Sequence, residues 1–173
     1  MGLLRRSRRD DIDVASCLAN LSRLDAINRS GVLQPTRRQR LDALTRRASD
    51  RLGTPMAFVS IIDDQIQHLA GATGLTGELA DTRRGPSEAS YCQYVVALGE
   101  PLVVTDSATD ELVRQHPATT TQGIRSYLGV PIEHDGHFLG SFCVVDTEAR
   151  QWTEDDLAAL EELADEVLVA AER

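Results

Sequence analysis

Gly123-Ile124-Arg125-Ser126-Tyr127-Leu128-Gly129-Val130-Pro131-Ile132, then Asp135-Gly136, then His137-Phe138-Leu139-Gly140-Ser141-Phe142-Cys143-Val144-Val145-Asp146, is the stretch that decides the fold of this chain. Two apolar-rich runs of strand length flank a dipeptide that accepts the positive φ angles of a type I′ turn, so the segment reads as a β-hairpin. Upstream, Leu102 to Thr105 reads as a brief strand, residues 106–115 as a short helical connection and residues 118–122 as a polar loop. Pro86 and Ser87 open a short helix running to about Leu98, with Ser87 as N-cap and Glu88 in the first turn. Its inward face carries Tyr91, Tyr94 or Val95, and Leu98.

Further out, residues 56–62 are apolar and rich in β-branched side chains, Asp63-Asp64 supplies a turn, and residues 65–70 alternate, which gives a second hairpin before the Gly71, Gly74, Gly77 segment. Helices are expected at both ends. Residues 10–29 contain no Pro or Gly and carry Val14, Leu18 and Leu21 at helical spacing. After Gly31 and Pro35, residues 36–52 repeat the pattern with Leu41, Leu44, Ala48 and Leu52, and Gly53 caps the end. Thr153-Glu154-Asp155-Asp156 has the cap-plus-acids form of a helix start, and Leu157, Leu160, Ala164, Val167 and Ala171 follow at the spacing of a helix-pairing seam. Trp152, just before the cap, is placed to staple against Leu157.

Strands in hairpins with helices at the ends define an α+β layout with a mainly antiparallel sheet. At 173 residues one domain is expected. No apolar run is long enough for a membrane span, the start lacks the apolar stretch of a secretory signal, and the three widely spaced cysteines, Cys17, Cys92 and Cys143, show no Cys-x-x-Cys pair. A cytoplasmic protein with reduced thiols and no membrane association follows. The net charge of −9 conceals an asymmetry: residues 1–50 hold 11 Arg against 6 acids, and residues 51–173 hold 7 Arg against 21 acids. The acidic body argues against a broad nucleic-acid surface. Arg5, Arg6, Arg8 and Arg9 read as a frayed, solvated terminus. The expected division is a basic disordered arm over residues 1–9, an N-terminal helix over 10–34 and the main domain over 35–173.

Ser90-Tyr91-Cys92, Val103-Val104-Thr105-Asp106 and the 123–146 hairpin, taken in that order, resemble the GAF domain family, over about residues 40–172. The resemblance implies a five- or six-stranded antiparallel sheet with the N- and C-terminal helices on one face and pocket helices and loops on the other. It places a ligand pocket between the sheet and residues 82–122, with Tyr91, Cys92, Tyr94, Asp106, Arg125 and Tyr127 as its site residues. One Arg, one Asp and two or three tyrosines suit a planar polar ligand or an anion. The alternative is an Arg125–Asp106 ion pair that closes the site, with the tyrosines as core.

Cys92, near a helix start, is the thiol most open to redox chemistry, and Cys143 on an apolar strand reads as a small hydrophobe. The free-methionine sulfoxide reductases of this family need a resolving thiol in the loop before the Arg125 strand, and residues 116–124 hold none. Bilin attachment needs a Cys in that same loop, and the cyclic-nucleotide signature of related domains needs a Lys, which the chain lacks throughout. His68 or His116 as a lone haem ligand has no supporting residue, and His134 and His137 flank a solvated hairpin tip; no metal site is read. No cofactor is named by these residue types. The expected function is therefore a non-enzymatic GAF-type sensor, an unidentified small molecule being its ligand. It is expected to form a homodimer through its terminal helices and, with no output segment read in the sequence, to act on a protein partner docked on the helical face. Two alternatives stand beside it: a thiol-based redox enzyme or switch, methionine sulfoxide reductase-like, using Cys92, and a structural adaptor that binds no small molecule.

Overall fold

Two hairpins and a central pairing between them organise the chain, whose computed structural model describes the backbone of residues 13–172 and the side chains of residues 13–169. The basic arm expected over residues 1–9 and the side chain of Ala171 lie outside the described residues. The deciding stretch forms β5 (Ser126–His134) and β6 (His137–Asp146), paired antiparallel with His134 opposite His137. Asp135 and Gly136 between them take φ 50° and 75°, the left-handed pair a type I′ turn requires. The other hairpin is β1 (Met56–Ile62) with β2 (Ile66–Thr73), longer than the alternation at 65–70 implied. Asp63 Oδ1 closes its turn by accepting the N–H groups of Gln65 and Ile66. Adding β3 (Arg84–Pro86) and β4 (Leu102–Val104) gives a six-stranded sheet of order β3-β2-β1-β6-β5-β4, antiparallel throughout. The fold is the α+β arrangement the sequence implies.

Side chains alternate across each strand, so the sheet builds two cores. One face carries Val59, Ile61, Leu128, Val130, Phe142 and Val144. It is covered by α2 (Leu21–Ser30), α3 (Arg38–Leu52), α7 (Glu154–Ala164) and α8 (Glu166–Glu172), whose Leu41, Leu44, Leu160, Leu163 and Val167 are buried against it. Each such leucine contributes about 2 kcal/mol by leaving water. The seam of the C-terminal helices is thus spent inside the subunit, and Thr153 and Asp156 start it with a complete capping box. Trp152 ties the run-in to the sheet: its indole Nε1–H donates to the Val104 carbonyl at 3.0 Å and the Arg150 guanidinium lies 5.0 Å above its ring.

The opposite face carries Phe58, Ile62, Tyr127, Cys143 and Val145 and is covered by α5 (Cys92–Leu98) together with α1 (Val14–Leu18). Here the chain departs from a single helix over residues 10–29. Asn20 takes an extended backbone and its side chain accepts the Arg23 N–H, which ends α1 and starts α2 on the other side of the sheet. Arg23, buried to 4 % exposure, spans the divide. Its guanidinium donates to the carbonyls of Leu18 (2.8 Å) and Cys17 (3.3 Å) at the end of α1, and to those of Ile62 (2.7 Å) and Phe138 (3.3 Å) at the ends of the two hairpins.

Ser87 does not cap a continuous helix. Ser87–Ala89 forms one 3₁₀ turn, Ser90 is extended, and the Ser90 hydroxyl accepts the Cys92 N–H at 3.1 Å, so the helix proper begins at Cys92. Residues 106–115 form successive turns rather than a helix, and the Thr-rich stretch instead holds one short helix, α6 (Pro117–Thr120). The remaining helix, α4 (Gly77–Thr82), follows β2.

Candidate functional site

Between α5 and the second sheet face lies a small chamber with about 40 Å³ of room for a water-sized molecule. Phe58, Leu69, Leu79, Ile124 and Val145 supply apolar wall; Gln67, Ser90, Gln122, Cys92, Cys143 and Tyr127 supply the polar and sulfur atoms. Gln67, Leu79, Ala89 and Gln122 also line a wider, open cleft beside β3, so the chamber reaches solvent there. Glu78 and Arg84 stand in that outer cleft. Among the described residues, no Asp, Glu, Arg or His lines the chamber.

The floor is a cluster of thiols and hydroxyls. Cys92 Sγ lies 3.1 Å from the Tyr127 hydroxyl and 3.9 Å from Cys143 Sγ, and the Tyr127 hydroxyl lies 2.9 Å from Ser141 Oγ. Strand alternation puts Ser141, Cys143 and Val145 on one face, and Tyr127 and Gly129 beside them. Gly129 is there because Tyr127 lies back over it: a Cβ at position 129 would sit 2.3 Å from the Tyr127 hydroxyl and 2.6 Å from Ser141 Oγ. On the other side of the sulfur, the Gln67 amide donates to Ser60 Oγ and Ser90 Oγ, both at 2.9 Å. With their lone pairs taken up by Gln67 and, for Ser90, by the Cys92 N–H, both hydroxyl protons are free to point at Cys92 Sγ.

These donors set the thiol chemistry. Burial alone raises the Cys92 pKa, but hydrogen bonds from Cys143, Ser60, Ser90 and Tyr127 outweigh it and bring the value down to about 6. Cys143 moves the other way, pushed up by burial and by donating to Cys92. Burial likewise raises Tyr127, which keeps its proton as a donor to sulfur. Of the two sulfurs, Cys92 therefore ionises the more readily and Cys143 holds its proton.

Behind the cluster, Tyr91 packs edge-on to Tyr127 (ring centroids 5.4 Å apart) and to His116 (5.1 Å), and Tyr94 packs edge-on to His116 at 5.8 Å. The Thr119 hydroxyl donates to the Val113 carbonyl, so the Tyr91 hydroxyl donates to Thr119 Oγ1. Nδ1 of His116 accepts the Ala118 N–H, and burial holds its pKa below the ordinary histidine value.

Of the six residues expected at the site, the structure brings Tyr91, Cys92 and Tyr127 together on the chamber wall. Tyr94 stands behind, half-buried against His116. Asp106 and Arg125 do not line the chamber: the Arg125 guanidinium donates through Nε and an η nitrogen to the two Asp106 oxygens, both at 2.9 Å, and its side chain is 44 % exposed. Arg125 precedes the first residue of β5, where strand alternation no longer fixes its direction. Sequence reasoning passed over Ser60, Gln67, Ser90, Gly129 and Ser141, and took Cys143 for packing alone. The available signal was the period of two, which sets Ser141 and Cys143 on the same face as the incoming Cys92.

The family model of the GAF domain matches residues 36–171, and the chain belongs to that family. A curated relative, a cyclic di-GMP phosphodiesterase of Pseudomonas aeruginosa, is 32 % identical over 146 residues, covering 83 % of this chain. The chain spans about a quarter of that relative's length, 24 %. The GAF domain of a phosphoenolpyruvate-protein phosphotransferase from Coxiella burnetii superposes with a TM-score of 0.65 at 20 % identity, over 90 % of this chain and 94 % of that one. A type II free methionine-R-sulfoxide reductase from Thermoplasma acidophilum gives 0.65 at 13 % identity, over 81 % and 95 %. At these identities the solved structures establish the shared fold.

Proposed function

We propose that this GAF domain is a sensor module with no catalytic step of its own, and that its chamber takes a small uncharged ligand. The supporting observation is the lining: apolar walls and uncharged amide and hydroxyl groups, with Arg125 and Asp106 paired to each other outside it. Carboxylates and phosphates desolvated there would have no cation to meet, whereas a compact molecule with one or two hydrogen-bonding groups finds the amide groups of Gln67 and Gln122. The Pseudomonas relative is a phosphodiesterase in which a segment like this one is about a quarter of the chain, which supports a regulatory role for the domain and an output carried by a partner protein or by joined sequence.

Occupancy acts on helix α5, whose position over the sheet sets the chamber's width. A homodimer through the terminal helices uses what the core leaves exposed: Leu21 at 81 % and Val169 at 46 %. The unpaired cysteines support residence in the cytoplasm, where thiols stay reduced. Among the described residues no helix is long and apolar enough to cross a membrane. Native mass spectrometry of freshly purified protein tests the ligand: a retained small molecule is expected, and it is lost in Ala89→Phe, which fills the mouth. A bare polypeptide mass with an unliganded chamber after expression in several hosts would instead support the adaptor.

A further inference from the structure

Cys92 and Cys143 come from elements 51 residues apart, the start of helix α5 and the middle of strand β6, yet their sulfurs are 3.9 Å apart on one chamber wall. Two thiols in van der Waals contact are one short step from a bond of about 2.05 Å, since each side chain needs to swing only about 1 Å. Neither reaches the outer surface directly, at 2 % and 1 % exposure, so any reagent must come through the chamber. The side chains shared by the chamber and the outer cleft, Gln67, Leu79, Ala89 and Gln122, are all neutral. The surroundings are asymmetric: Tyr127, Ser60 and Ser90 all converge on Cys92. Cys143 is the residue positioned to follow.

We propose that Cys92 and Cys143 form a redox dithiol, oxidised to an intramolecular disulfide by a small neutral hydroperoxide that enters the chamber. The Cys92 thiolate attacks one peroxide oxygen; an S–O bond forms, the O–O bond breaks, and the leaving alkoxide or hydroxide takes a proton from the Tyr127 and Ser141 hydroxyl chain to depart as alcohol or water. Cys92 is then a sulfenic acid, oxidised by two electrons while the peroxide is reduced by two. Cys143 attacks the Cys92 sulfur; the S–S bond forms, the S–O bond breaks, the Cys143 proton goes to the departing hydroxide so that water leaves, and the Tyr127–Ser141 chain regains its proton from solvent through the mouth. An external thiol pair, itself oxidised to a disulfide, restores the starting state. The bond ties α5 to the central strand of the sheet and narrows the chamber from its floor. The two thiols suffice for this, so the inference stands whether or not the chamber retains a ligand.

The test uses the full chain with hydrogen peroxide as the probe, in a Cys17→Ser background and in the wild type. Expected are a monomeric product lighter by two hydrogens, a digest in which the Cys92 and Cys143 peptides are joined, and reversal by a dithiol reductant. Cys143→Ser then stops at the sulfenic acid, trapped on Cys92 by a cyclic dione. Tyr127→Phe, which keeps the ring in place, slows the first step by roughly tenfold, one donor's worth of thiolate stabilisation. If the serine variant does not fold, the joined peptide and the Tyr127→Phe rate decide alone. Both thiols remaining reduced in folded protein, a bond that involves Cys17 or a second copy, or a Tyr127→Phe rate equal to wild type would overturn the proposal.

Discussion

Replacing Gly129 with alanine puts a Cβ 2.3 Å from the Tyr127 hydroxyl, 2.6 Å from Tyr127 Cε1 and 2.6 Å from Ser141 Oγ. Real Cβ contacts do not approach so closely, so the ring must leave its place over β5. Overpacking of this kind costs about 1–3 kcal/mol. Moving the ring also breaks the Tyr127 bonds to Ser141 and Cys92, each a net of about 1 kcal/mol. The sum is roughly 3–5 kcal/mol, which for a domain of this size lowers Tm by roughly 10 °C or more. Urea denaturation followed by Trp152 fluorescence measures it. Gly85→Ala serves as control, because a Cβ there meets only Gln67 Oε1 at 3.9 Å and its backbone φ is ordinary; it shifts stability by under about 0.5 kcal/mol. The variant also weakens the donor set on Cys92, so its thiol titrates at higher pH than in the wild type. Gly129→Ala as stable as Gly85→Ala, with Cys92 titrating unchanged, would refute the placement of Tyr127 and with it the account of the thiol.

Arg23→Met keeps the stem and removes the four hydrogen bonds donated to four carbonyls; it costs about 3 kcal/mol in urea unfolding, and Arg23→Lys recovers only part of that. His116 is held neutral by burial, its folded pKa lying below the unfolded value of about 6.5, so its contribution is complete above that pH and lost as the pH falls below it. Thermal melts from pH 7 to 5 therefore fall more steeply in wild type than in His116→Gln. The ultraviolet absorbance of the Cys92 thiolate, taken as wild type minus Cys92→Ser, grows in with a midpoint near pH 6; a midpoint in the usual cysteine range would remove the converging donors. Arg125→Ala leaves any ligand retained by native mass spectrometry in place, since its guanidinium is engaged with Asp106 and does not line the chamber; loss of the ligand would return Arg125 to the site.

Much of the fold was legible because it rests on local signals. Asp135-Gly136 specifies its turn by backbone freedom alone, Gly53 and Gly31 take left-handed angles at the ends of α3 and α2, and the Thr153–Asp156 box starts α7 where its residue types require. What misled were hydrogen-bonding residues inside otherwise helical runs. Asn20 and Ser90 each compete with the helix for backbone N–H groups, so the N-terminal helix splits in two and α5 starts four residues later than Ser87 as N-cap implied. At the site, Cys92, Tyr91 and Tyr127 could be placed from their neighbours in sequence. The Cys92–Cys143 approach could not: it depends on how far α5 settles onto the sheet, which Gly129 and the Tyr127 ring decide between them. Arg125 went astray for a related reason, because its direction is set by Asp106 across a loop rather than by strand periodicity.

The passage of the chain around the end of the sheet has a mechanical corollary. Helix α5 bears on α1 through the cluster that holds Leu18, Val95 and Val96, while α1 runs through Ala19 and Asn20 directly into α2 on the far side. A nudge given to α5 from the cavity beneath it therefore need not cross six rigid strands to reach the other helical layer. It can travel along the polypeptide as along a strap over a beam, with the Arg23 guanidinium as the buckle that fixes how much slack the strap has.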